Sequence, residues 1–318
     1  MFLAGTLLLG FLTLIASCGE SPPESGKAPA QTGKLTLAYD TWTGTYLPIY
    51  VLKTIFEDKL GYTVKIVELS VPDAYEQVAR GGVHIYTDGW FPSQDSTYDK
   101  YPNLVKLGQC YGGKAKDAYE GWLVPTNFAR EYGITNVRDL GKGEVARELD
   151  ADGDGKGNLI GAPKTWLASK RNDEILANYG LVRLYEQDHG TERELMEAIG
   201  QRLSQGKPTL FYLVLPNAFP TKVPVSTNLT WLKGSEQSLP LSFVRAVVRS
   251  DFIVYHPEAA KILSRYRIPG ADISWSMEQI AQEGRGGESP RFLRQLAQTW
   301  IDRNRQEVNK WLEGITAG

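Results

Sequence analysis

Cysteine and histidine are scarce in this sequence, and their scarcity excludes several kinds of site. Two cysteines in 318 residues can form neither a disulfide-stabilised scaffold nor a four-cysteine zinc site. The three histidines, His84, His189 and His256, are far apart and never occur in a metal-ligand spacing such as HExxH. We therefore expect no catalytic metal centre and no cofactor.

An excess of either charge is also missing. Lys and Arg number 35 and Asp and Glu number 37, which gives a net charge of −2. Without a basic field there is no electrostatic reason to expect a nucleic-acid partner. A G-x-S-x-G nucleophile elbow is absent too, so we do not expect an enzyme. A secreted hydrolase stays as an alternative, because 37 acidic residues always allow some pair of catalytic carboxylates.

The amino-terminal segment is typical of a processed lipoprotein. Residues 2–16 are uncharged and leucine-rich, but shorter than the roughly 20 residues that span a bilayer as a helix. Residues 14–18 (LIASC) resemble the bacterial lipobox, in which the chain is cleaved directly before the cysteine and the cysteine thiol is lipidated. We predict a signal peptide over 1–17, lipidation at Cys18 and a flexible tether over 18–33, rich in Gly, Ser and Pro. The protein would then be extracytoplasmic and anchored to a membrane, in a periplasm or on the outer face of the cell membrane. No Lys or Arg precedes the stretch, and an uncleaved anchor or a buried helix stays as an alternative.

The remainder of the chain alternates between strand and helix patterns. Such alternation predicts parallel βαβ units, in two successive α/β blocks followed by a helical carboxyl-terminal region. The predicted strands are 34–39, 63–69, 83–86, 119–124 and 209–215, and the predicted helices are 47–60, 73–80, 171–179, 192–205, 257–266, 275–283 and 291–311.

Eight tryptophans are the unusual part of the composition. Trp42 and Trp90 directly follow predicted strands, and Trp166 lies in a loop after a short apolar segment. Ligands of open parallel sheets bind outside the carboxyl ends of the strands. Because an indole face attracts a cation that has no N–H group, these three rings predict a cage for a quaternary ammonium group. Packing in the core is the alternative for each of them. The other five are predicted to pack in the core or on a lobe surface: Trp122, Trp231, Trp275, Trp300 and Trp311.

Several segments strengthen this interpretation by their order along the chain. They are Trp42-Thr43, 60–64 (LGYTV), 71–82, 88–92 (DGWFP), 152–157 (DGDGKG) and 300–312. Together they resemble the substrate-binding proteins of the glycine betaine, proline betaine, choline and carnitine ABC transporters, over roughly residues 34–315.

This resemblance implies an α/β fold of the bilobal type II periplasmic-binding-protein class, with two α/β lobes joined by a two-strand hinge. Lobe one would comprise 34–124 and 243–318, and lobe two 125–242. Two of the three cage tryptophans would come from lobe one and Trp166 from lobe two, so that closure completes the cage. The protein would capture a betaine-type zwitterion or other quaternary ammonium compound and deliver it to an ABC permease.

The chain departs from the family pattern around the predicted site. Val214 stands where several members have a further tryptophan, Gln94 where a histidine is common, and Gly44 where choline-type members carry an acid. The loop after Trp166 reads Leu-Ala-Ser instead of a Gly-Cys type sequence. A larger betaine, an amino-acid-like zwitterion, or a ligand-sensing role therefore stay open as alternatives. The expected partners of a ligand carboxylate are Gln94, Ser93, Ser169, Lys164 and the backbone amides of Thr43 and Gly44.

A second acidic segment resembles only half of a calcium loop. Asp150, Asp152 and Asp154 have the right spacing, but Gly161 stands where a bidentate Glu should close the site. We interpret the segment as a tight Asp/Gly turn, with weak Ca²⁺ binding as the alternative, and predict no metal site.

Overall fold

The structure is a computed structural model that describes residues 33–112, 117–218 and 229–316. The predicted signal peptide, Cys18 and almost all of the tether lie outside the described residues. The strands are β1 (Lys34–Tyr39), β2 (Thr63–Glu68), β3 (Ile85–Phe91), β4 (Leu104–Gly112), β5 (Tyr119–Pro125), β6 (Gly157–Ile160), β7 (Tyr185–Asp188), β8 (Leu210–Leu215), β9 (Leu229–Trp231) and β10 (Phe243–Arg249). The helices are α1 (Tyr46–Leu60), α2 (Val71–Arg80), α3 (Asp95–Tyr98), α4 (Thr126–Tyr132), α5 (Gly143–Leu149), α6 (Leu167–Asn178), α7 (Glu192–Ser204), α8 (Phe252–Tyr255), α9 (Pro257–Arg265), α10 (Gly270–Glu283), α11 (Pro290–Arg303) and α12 (Arg305–Leu312).

The first sheet has the strand order β2-β1-β3-β10-β4. β1 pairs in parallel with β2 and β3, while β10 runs antiparallel between β3 and β4. The two crossover helices, α1 and α2, end at Gly61 and Gly81, whose φ angles of 71° and 80° are in the left-handed region that favours glycine. We call this sheet and the helices around it lobe one.

The second sheet, the basis of lobe two, has the order β7-β6-β8-β5-β9. β6 pairs in parallel with β7 and β8, and β5 runs antiparallel to β8 and β9. The chain passes between the lobes after β4 and again before β10, and these two crossings lie side by side, since Ser242 N donates to Ala118 O at 3.0 Å. The expected bilobal α/β fold is thereby confirmed.

Three local expectations were wrong. The lobe boundary after residue 124 is one strand too late, because β5 pairs within the second sheet. Trp90 lies inside β3 and not beyond it, because pairing with β10 extends that strand through Phe91. The predicted helix 291–311 is two helices, which separate at Asn304, where the side-chain amide donates to Trp300 O at 2.9 Å.

The tryptophans assigned to packing behave as expected. Trp122, Trp300 and Trp311 are at most 2% exposed, and the last two stack with ring centroids 5.8 Å apart. Trp231 and Trp275 are partly buried. Cys110 is a buried free thiol. Within the described residues, no helix combines the length and the apolar composition that crossing a membrane requires.

Candidate ligand-binding site

A cleft lies where the carboxyl ends of β1 and β3 face α6 and β8 of lobe two. This is the place where open α/β sheets bind ligands. Its lining residues are Asp40, Trp42, Val71, Asp88, Trp90, Ser93, Gln94, Glu120, Trp166, Leu167, Ala168, Arg171, Tyr212 and Val214. The three tryptophans predicted from the sequence are thus brought together in one cleft.

Aromatic rings form the lobe-one wall. Trp42 and Trp90 meet nearly edge to face, with centroids 5.6 Å apart and planes at 71°. Tyr111 on β4 supports both from behind, at 6.3 Å from Trp42 and 5.8 Å from Trp90. Gly44 lies against the indole of Trp42, since a Cβ there would come within 2.4 Å of the ring. Gly44 therefore acts by letting Trp42 take its position, and it is not among the lining residues.

The lobe-two wall begins with Trp166, which directly precedes α6 and is only partly buried. Its Nε1 donates to Thr41 Oγ1 of lobe one at 3.0 Å. Arg171, one turn further along α6, lines the cleft and donates through Nη2 to Ser93 O of lobe one. Both side chains therefore connect the lobes across the cleft.

Carboxyl groups are the main part of the site that the sequence reasoning missed. Asp88 Oδ1 accepts hydrogen bonds from Trp90 Nε1 at 2.9 Å and from Tyr111 OH at 3.1 Å. Burial, and next the neighbouring Asp40, raise the pKa of Asp88 to about 7. Burial likewise raises the pKa of Asp40 to about 6. At neutral pH the lobe-one wall is therefore aromatic and partly ionised.

Glu120 is the carboxyl group of the lobe-two wall. It lies on β5, is buried, and accepts a hydrogen bond from Tyr212 OH. Burial raises its pKa, while the Tyr212 hydrogen bond and the charge of Arg171 act in the opposite direction. Arg171 is the one basic side chain among the described lining residues.

Thr43 was expected to donate its amide to the ligand, but in the structure it donates to Glu192. Its backbone N and its Oγ1 donate to Glu192 Oε2 at 3.0 and 2.7 Å, so its amide serves a contact between the lobes instead of facing the cleft. Burial raises the pKa of Glu192 to about 7, against the lowering effect of these hydrogen bonds. We call Thr43 and Glu192 the interlobe latch.

The other expected carboxylate partners fall into two groups. Gln94 and Ser93 line the cleft, but Gln94 is held at both ends, since Oε1 accepts from Tyr75 OH at 2.9 Å and Nε2 donates to Asp88 O at 3.3 Å. Ser169 is buried behind the lining, with its carbonyl accepting from Gln187, and Lys164 is exposed. The last two do not reach the cleft.

Comparison with known proteins identifies the family of the chain. The sequence model described as the substrate-binding domain of ABC-type glycine betaine transport systems matches residues 33–303. The chain belongs to this family. It is a family of solute-binding transport proteins.

Individual relatives agree with this assignment. The glycine betaine/proline betaine-binding periplasmic protein of Escherichia coli (strain K12) is 25% identical over 279 residues, covering 82% of this chain and 83% of that protein. A choline-binding protein of an ABC transporter, solved with choline, has a TM-score of 0.74 at 19% identity, over 91% of this chain and 95% of that chain. The lactococcal protein OpuAC, solved with glycine betaine, has a TM-score of 0.70 at 21% identity, over 88% and 99%. The two solved structures support the fold of this binding protein.

A signal for the missed residues was present in the binding protein's sequence. Asp88 and Glu120 lie in strands whose residues are mostly buried, and a carboxyl group inside a buried strand needs a specific reason to be there. Arg171 gave no such signal, because an arginine on a helix is usually exposed.

The acidic segment lies apart from the cleft residues. Carboxylate oxygens of Asp150, Asp152 and Asp154 come within 4.8 Å of one another. Asp150 accepts from the amides of Gly153 and Gly155 at 2.7 and 3.0 Å. These contacts fit the tight-turn interpretation.

Proposed function

We propose that this binding protein captures a small betaine-type quaternary ammonium compound in the cleft and delivers it to an ABC permease. The observation that carries the proposal is the convergence of Trp42, Trp90 and Trp166 from two lobes on one cleft that also contains buried carboxyl groups. An indole face stabilises a cation that offers no hydrogen-bond donor, by about 0.5–2 kcal/mol for each ring. Lobe closure would bring the third ring onto the ligand.

The two ends of a zwitterion fit the two walls. Its ammonium group would lie on the aromatic and acidic wall of lobe one. Its carboxylate would face the amino terminus of α6, which has no side-chain cap and no acidic residue in its first turn. Leu167 and Ala168 bring that helix end to the cleft, and Arg171 adds a positive charge nearby. A helix amino terminus and a guanidinium both favour an anion.

The ligand assignment is tested by calorimetric titration of the purified protein with glycine betaine, proline betaine, carnitine, choline and trimethylamine N-oxide. We expect at least one betaine to bind and to change the tryptophan fluorescence. The fluorescence change should persist in a Trp275→Phe variant, because Trp275 packs against Arg303 outside the cleft. Binding of amino acids with none of the five ligands bound would favour the amino-acid-like alternative and remove the quaternary ammonium assignment.

The anchoring proposal rests on the sequence. We infer that Cys18 is lipidated and that residues 18–33 tether the lobes to the outer side of a membrane. A Cys18→Ser variant produced in bacteria should lose the incorporation of labelled fatty acid that the unsubstituted protein shows. Labelled fatty acid in the variant would contradict lipidation at this residue.

A further inference from the structure

The cleft contains buried acids that form no ion pair with a basic side chain of the described residues. Asp40, Asp88 and Glu120 are 9%, 4% and 7% exposed. Among the described residues, none of the three forms an ion pair with a Lys, Arg or His side chain. An unpaired buried carboxylate is costly, so such groups either stay protonated or have a cation from elsewhere. Arg171 acts on Glu120, which leaves Asp40 and Asp88 without a compensating basic group among the lining residues. These two acids point to a positively charged ligand group.

Asp88 is the best placed of the three. The hydrogen bonds from Trp90 and Tyr111 fix its carboxyl group at the edge of the aromatic wall, and both converge on Oδ1. Asp40 lines the same wall directly after β1. Resting on the proposed function, we infer that Asp88, assisted by Asp40, is the counter-charge of the ligand's ammonium group. The cleft then exchanges a proton for the ligand cation on binding.

The groups around Asp88 support this exchange. The acids that act on it are Asp40 and Glu120. The one basic lining residue, Arg171, acts on Glu120. The remaining titratable neighbours stay protonated at neutral pH, because burial raises their pKa values: Tyr75, Tyr86, Cys110, Tyr111 and Tyr266. A bound ammonium group would therefore be the nearest compensating charge for Asp88.

The direction of the pH effect follows. Burial raises the pKa of Asp88 to about 7 in this arrangement of the lobes, so without ligand the carboxyl group of the closed protein is mostly protonated at pH 6.5. An ammonium group beside it favours the ionised form, and the proton leaves to the buffer. Affinity should therefore rise with pH between about 6 and 8, with proton release on binding at the acidic end. Proton uptake by Glu192 on closure would oppose this trend, since burial also raises its pKa to about 7.

The test uses choline and glycine betaine as probes in a Glu192→Gln background, which removes that opposing proton. Calorimetry at pH 6.5 in phosphate and in bis-tris separates proton release from binding heat, because the two buffers have different ionisation enthalpies. We expect a fraction of a proton released per probe. Asp88→Asn keeps an oxygen to accept from Trp90 and Tyr111, and should bind about tenfold more weakly at pH 8, with most of the proton release lost.

Matched variants decide the outcome. Asp99→Asn removes an exposed carboxylate from the same lobe and should leave affinity and proton release unchanged. Asp40→Asn should show a smaller loss of affinity than Asp88→Asn. If Asp88→Asn does not fold, the affinity of Asp40→Asn and the number of protons that it releases on binding provide the test. Binding without proton release, together with unchanged affinity in the Asp variants, would overturn the inference. Failure of these two probes and of the other three candidate ligands to bind the unsubstituted protein would instead overturn the proposed function.

Discussion

The two walls of the cleft are built in opposite ways. On the lobe-one side, Trp42 and Trp90 are 4% and 7% exposed and belong to the core cluster of the molecule. The hydrogen bonds that fix this wall, from Trp90 and Tyr111 to Asp88, stay within the lobe. On the lobe-two side, Trp166 is only partly buried, and its indole N–H donates to the opposite lobe.

This difference separates a rigid platform from a movable closing face. A wall that is part of the core keeps its shape whether or not the lobes are closed, because moving it would open cavities. A wall whose polar groups reach across the cleft keeps its contacts only in the closed arrangement. Substitutions in the lobe-one wall should therefore lower both the ligand affinity and the free energy of unfolding. Substitutions in the lobe-two wall should lower the affinity alone.

The largest effect is expected at Trp90. Replacing it by Ala removes a cage ring and the donor to Asp88, and should lower betaine affinity by about 100-fold. Because the ring is buried, the free energy of unfolding should also fall, by about 3–5 kcal/mol. Calorimetric titration and urea unfolding measure the two quantities. Trp300→Ala is the matched control, since this buried ring belongs to α11 and bonds to Asp272, so stability should fall while affinity stays.

At Trp166 we expect a smaller loss of affinity and no accompanying loss of stability. The Trp166→Ala variant loses one partly buried ring and one hydrogen bond to Thr41, so affinity should fall about tenfold. The free energy of unfolding should stay close to that of the unsubstituted protein. A loss of stability comparable to that of Trp90→Ala would remove the distinction between platform and closing face.

The same comparison explains what the sequence could predict. The alternating patterns located β1, and the three tryptophans predicted to form a cage do line one cleft. The register of β10 against β3 could not be predicted from the sequence, because the two strands are distant along the chain. Trp90 was therefore predicted to lie past its strand. Thr43 illustrates the other limit. Its amide could be foreseen as a donor, but its acceptor, Glu192, lies on the opposite lobe and depends on how the lobes meet.

The smallest expected effect concerns the interlobe latch, and it distinguishes charge from hydrogen bonding. Glu192→Gln keeps an oxygen that can accept from Thr43 but removes the charge. Burial raises the pKa of Glu192 to about 7 in the closed arrangement, from the ordinary value of 4.5. The closed form thus holds an extra proton, so its contribution to closure is fully present below pH 4.5 and is lost as the pH rises through about 7.

Gln is uncharged at every pH and avoids this loss. Because Glu192 is partly exposed, solvent screening reduces this loss well below the full shift. The variant should therefore bind betaine about threefold more tightly than the unsubstituted protein at pH 8, with a smaller difference at pH 5. Comparing the two proteins at each pH cancels the titration of the cleft carboxyl groups, which they share. Weaker binding by the variant at pH 8 would mean that the ionised carboxylate's hydrogen bonds from Thr43 outweigh its loss of hydration. The closing face would then depend on charge, as we infer for the platform at Asp88.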